Sequence, residues 1–76
     1  MKNRTMQTLE AKPASGAFYV HIAFTDRKFA KNARIAAESH AKCNGWDPKG
    51  STSHGSMVSL HDGTFTRAFW FETRSK

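Results

Sequence analysis

The sequence predicts a small α+β domain in which a single helix packs on one face of an antiparallel sheet, and three stretches carry that prediction. "AFYVHIAF" at 17–24 and "TFTRAFWFET" at 64–73 alternate with the two-residue period of half-buried strands. Between them, 26–44 forms an amphipathic helix. Phe29, Ala30, Ala33, Ala36, Ala37, His40, Ala41 and Cys43 share one side, and Arg27, Lys28, Lys31, Arg34, Glu38 and Lys42 the other. At 76 residues the chain is one domain, and a chain this short buries only about 60% of its unfolded surface. Six Phe, two Trp and one Tyr are enough to order a small core.

The segment 1–16, "MKNRTMQTLEAKPASG", is polar and basic and leaves through a Pro-Ala-Ser-Gly loop signal. Its early apolar residues are Met6 and Leu9, so it reads as a mobile N-terminal arm, or as a short edge strand if it pairs. In 17–24, Phe18, Val20, Ile22 and Phe24 face the core, while Tyr19, His21 and Ala23 face away. Thr25 or Asp26 is placed to cap the helix. Asn44-Gly45 stops it, with Gly45 in the left-handed conformation and Trp46 folding back on the last turn. The inward stripe is mostly Ala, which lets the helix backbone approach a sheet of large Phe side chains. "WDPKGSTSHG" at 46–55 is a loop, and "SMVSL" is a short strand. Asp62-Gly63 marks a two-residue hairpin turn that pairs Leu60 with Phe65 and Val58 with Arg67. The order is β-α-β-β. The sheet has three strands in order 2-3-1, or four if the N-terminal segment adds an edge. One helix covers one of its faces.

One helix leaves the other face bare. That face is expected to show Tyr19, His21, Met57, Ser59, Thr66, Ala68 and Trp70, while Val58, Leu60 and Phe65 lie with the core. A wet sheet face usually reads polar, and this one carries two aromatics, a Met and a His. Three uses fit: a stacking platform for unpaired bases, a dimer or partner interface, or a second small core under residues 1–16 and the Trp46 loop. Arg67, in the Phe row, is expected to snorkel at the sheet end beside Gly55 and Ser56.

Twelve Lys and Arg against six acids give a net charge of +6, which favours a polyanionic partner. With one cysteine, Cys43, no intrachain disulfide forms. No apolar run nears the ~20 residues of a membrane span, and the N-terminus lacks a signal-peptide core. The expected location is the cytoplasm, that of a host cell if the chain is phage-encoded.

His40, Cys43, His54 and His61 are potential zinc ligands, but their spacing matches no compact zinc signature. No metal or cofactor is expected. Cys43 falls at the C-terminal end of the helix, where the dipole disfavours a thiolate. The six acids offer no paired arrangement for acid–base work. "GSTSHGS" precedes a strand rather than a helix, unlike a phosphate-binding loop. The chain therefore reads as a non-enzymatic binding protein. It is expected to contact nucleic acid or a nucleoprotein complex through Arg27, Lys28, Lys31, Arg34 and Lys42 on the helix, through Tyr19 and Trp70 on the sheet, or through both. The alternative is an inhibitor or adaptor, of the phage or mobile-element kind typified by anti-CRISPR and polymerase-inhibitor proteins. It would dock on an acidic protein surface with Ile35 or Trp70 as anchor; this analogy rests on size and architecture alone.

Overall fold

Six large side chains, Phe18, Val20, Ile22, Phe24, Phe69 and Phe71, fill the centre of the molecule, each at most 1% exposed. They come from two neighbouring strands of a computed structural model that describes residues 6–60 and 62–75. The elements are β1 (Met6–Ala14), β2 (Ala17–Phe24), a 3-10 turn (Arg27–Phe29), α1 (Ala30–Cys43), β3 (Thr52–His54), β4 (Val58–Ser59) and β5 (Phe65–Phe71). The fold is α+β, with one helix and an antiparallel sheet of five strands.

The sheet order is β1-β2-β5-β3, and β4 also pairs with β5. This corrects the expected three strands in order 2-3-1. Of the two readings of the N-terminal segment, residues 6–14 take the edge strand and not the arm, pairing with β2 from Met6 opposite Phe24 to Ala14 opposite Ala17, with a bulge between Thr8 and Glu10. The turn into β2 passes through Gly16, whose φ is +83°.

The helix starts as the sequence implies. Asp26 is extended, and its Oδ1 accepts from the Lys28 amide at 3.1 Å. The first turn is tightened into the 3-10 form, so the α-helix proper begins at Ala30 rather than beside the cap. Ala33, Ala37 and Ala41, at i, i+4 and i+8, are fully buried against the sheet. At the far end Gly45 adopts φ +85°. The Gly45 amide donates to Lys42 O and the Trp46 amide to Ala41 O, the two bonds of a Schellman stop. Trp46 thereby swings under the helix, stacks on Phe18 at 6.3 Å and joins the main core. It does not cover the opposite sheet face. Cys43, expected on the inward stripe, is exposed instead, because the stripe drifts around the helix and leaves the sheet after Ala41.

The hairpin differs from expectation by one residue. The Gly63 amide donates to Leu60 O, the Leu60 amide donates to Thr64 O, and Gly63 takes φ +83°. Leu60 and Thr64 therefore close the turn, and it ends in a left-handed Gly63. Ser59 sits opposite Phe65 and Val58 opposite Thr66, in place of Leu60 opposite Phe65 and Val58 opposite Arg67. A one-residue slip turns every side chain to the other face. Val58 shares Thr66's face away from the helix and is exposed, as is Leu60, whereas Met57 packs against the core. The expected sides of Val58, Leu60, Met57 and Ser59 are all exchanged. His61 lies outside the described residues.

Gly63 and Gly50 test this backbone in two different ways. Gly63 has open space around it, so Gly63→Val tests conformation alone. It should lower stability by about 1–2 kcal/mol, read as a fall in melting temperature; an unchanged melt would contradict the left-handed turn. Gly50 lies so close to Thr73 that a Cβ would strike the Thr73 side chain. Thr73 cannot yield easily, because its Oγ1 accepts from the Ser51 amide and its carbonyl from the Asp47 amide. Gly50→Ala should cost about 1–3 kcal/mol, and a melt equal to the parent's would show that this loop adjusts freely.

Candidate functional site

Helix burial decides where the charges go. With the Ala stripe against the sheet, Arg27, Lys28, Lys31, Arg34, Ile35 and Lys42 are all exposed. Arg27, Lys31 and Arg34 recur at i, i+4 and i+7 and line one flank of the helix, while Lys28, Ile35 and Lys42 follow its outermost line. Glu38 is the one acid within Ala30–Cys43, and it pairs with Arg34 Nε at 3.3 Å. This partly exposed pair is worth about 0.3–0.5 kcal/mol. Two cations rest on rings: Arg27 lies 5.7 Å from the Phe65 centroid and Lys28 Nζ 5.4 Å from that of Phe29. Such contacts hold a side chain down while leaving its charge in water. Ile35 is 55% exposed amid Lys28, Lys31, Glu38 and Lys42.

The opposite sheet face carries a row of rings. Tyr19 and Trp70 are cross-strand partners with centroids 5.4 Å apart, and His21 lies 6.1 Å along from Tyr19. Gly55 on the neighbouring edge lies beside the indole, where an added Cβ would sit in ordinary contact at 3.8 Å. All three rings are half-buried. On β1, Lys12 lies opposite Tyr19 and Glu10 opposite His21, and the two charges pair at 3.3 Å. Among the described residues no segment folds over this face. The second small core expected under the N-terminal residues is not formed by residues 6–14, which extend the sheet sideways instead.

Arg67 departs most from expectation. It is paired with Ile22 in mid-strand, not at the sheet end, and its Nε is buried without a hydrogen-bond partner. It lines a cleft of about 320 Å³ with Ala30, Lys31, Arg34, His54 and Phe69. The sequence signal for this cleft was an Arg standing in a row of Phe. What could not be read was which helical residues would meet it.

Of the candidate zinc ligands, His40 and His54 lie at opposite edges of the sheet. His40 Nε2 lies 2.9 Å from Thr8 Oγ1 and ties the helix to β1, at one edge of the sheet. His54 lies on β3 at the other edge, its ring 6.4 Å from Phe69. Among the described residues no group of three His, Cys, Asp or Glu side chains comes together.

The bare face has a direct optical readout. In a Trp46→Phe variant, emission comes from Trp70 alone, and iodide should quench it substantially. Slight quenching would mean that something covers the face in solution.

No helix among the described residues is long and apolar enough to cross a membrane. No protein-family model matches this sequence, no curated protein matches it, and no solved structure matches its fold.

Proposed function

We propose that this chain is a non-enzymatic binding protein that contacts the phosphate backbone of a nucleic acid, free or within a nucleoprotein complex, through the exposed side of α1. The observation that carries this reading is the flank formed by Arg27 on the 3-10 turn and Lys31 and Arg34 on α1, three exposed cations accompanied by two acids, the capping Asp26 and Glu38, which pairs with Arg34. Seven residues of helix rise about 10 Å, about three nucleotide steps along one strand of a duplex. Long basic side chains on a rigid helix suit phosphate contacts, which position a protein without reading sequence. The Tyr19–Trp70 pair adds a second surface on which unpaired bases can stack.

A second reading is supported by Ile35. A large apolar side chain exposed inside a charged ring has the form of a protein-contact anchor with a polar rim. On this reading the chain is an inhibitor or adaptor docking on the acidic surface of a larger complex.

Anisotropy of a labelled oligonucleotide across a salt series separates the two. Three phosphate contacts predict a slope of log K against log salt of about −2 to −3. Arg34→Gln should lower it by about one and weaken binding evenly across sequences. An absence of binding at low salt would end the nucleic-acid reading. A protein partner that survives nuclease treatment and is lost on Ile35→Asp would establish the second.

A further inference from the structure

Arg67 is the one basic side chain that the fold sets within the row of core phenylalanines. Phe65 and Phe69 flank it on β5, and Ile22 faces it from β2. Its guanidinium is always charged, and a buried, unpartnered donor on a charged group is costly. Yet Nε has no partner, and the ion pairs among the described residues, Lys12–Glu10 and Arg34–Glu38, do not include it.

The backbone opens space for this side chain. β3 and β4 would form one continuous edge strand on β5 but for a register change. His54 lies opposite Phe69 and Val58 opposite Thr66, so three residues, 55–57, stand opposite two, 67 and 68. This is a β-bulge directly beside Arg67, and bulges re-aim side chains and interrupt pairing next to functional sites. The adjoining cleft is lined by Ala30, Lys31 and Arg34 from the helix, His54 from β3, and Arg67 and Phe69 from β5. The His54 Nδ1 lies 3.3 Å from Gly55 O. That contact joins the His54 ring to the backbone of the bulge.

We infer that this cleft is a binding site for the phosphate group of a phosphate ester. Arg67 supplies directional donors from a planar fork matched to two phosphate oxygens. Lys31 and Arg34 add charge from the helix. Three cations around one cleft suit a phosphate dianion better than a singly charged carboxylate. Ala30, only partly buried, leaves a small apolar surface for the ester's organic part. The site deepens the nucleic-acid reading and rests on it for the source of the phosphate. A strand phosphate seated here would turn loose electrostatic attraction along the flank into a fixed register. A mononucleotide presents the same chemistry.

The Arg67 Nε–H resonance, observed in the whole 15N-labelled chain, tests this with three probes: inorganic phosphate, adenosine monophosphate and a short single-stranded oligonucleotide. Saturable shifts with all three are expected, and Arg67→Met should weaken adenosine monophosphate binding by about tenfold or more. Shifts with phosphate and the mononucleotide but no oligonucleotide binding would keep the site and overturn the nucleic-acid reading. Oligonucleotide binding by anisotropy, with an Nε–H that none of the probes moves, would overturn the site and leave that reading standing. The wild-type resonance serves as readout even if Arg67→Met fails to fold.

Discussion

The packing of three alanines on a sheet of phenylalanines sets the rest of the molecule. Ala33, Ala37 and Ala41 are wholly buried against β2 and β5, so nearly all the large apolar volume of the core lies on the sheet side. The helix backbone can approach closely, and its longer side chains are all directed outward or to the flanks. A domain this small has apolar surface for one such interface only. Apart from Cys43, what is exposed on the helix is therefore charged or polar with Ile35 as the one large apolar exception, and the second sheet face is left to its own rings.

The two edges of the sheet are finished differently. β1 is long but bulged, carries Pro13, and is tied to the helix by His40 and Thr8. Bulge, Pro and charge all discourage strand addition at an edge. The other edge is broken into β3 and β4, and the break lies beside Arg67. The basic flank of the helix overlooks that broken edge rather than the closed one. Charge, cavity and irregular backbone therefore coincide on one side of the molecule, while the aromatic row occupies the face behind it.

β2, the helix and β5 were legible in the sequence because each has one buried side, which burial writes as periodicity. Caps were legible too, since Asp26 and Asn44-Gly45-Trp46 act through local geometry. β1 was legible only as an alternative to a mobile arm: all but its two end residues are exposed, and its partner is the β2 backbone, so its side chains do not record the pairing. The hairpin register failed for a related reason. Asp-Gly fits both a two-residue turn and the last part of a three-residue loop, and Val58 and Leu60 are too exposed to choose between them. At the candidate site, the exposed helical cations were placed correctly from the wheel. The cleft was not foreseeable, because it depends on a bulge at Gly55–Met57 and on which helical turn meets Arg67.

The central claim is that close helix–sheet approach at the alanine stripe holds this fold together. Ala37→Leu measures it most directly by thermal melting, with Ile35→Ala as the solvent-side comparison. If the stripe is packed as described, the added methylenes have no room and the variant loses about 1–3 kcal/mol. Ile35→Ala should stay within about 0.5 kcal/mol of the parent. An Ala37→Leu protein that melts with or above the parent would contradict the claim.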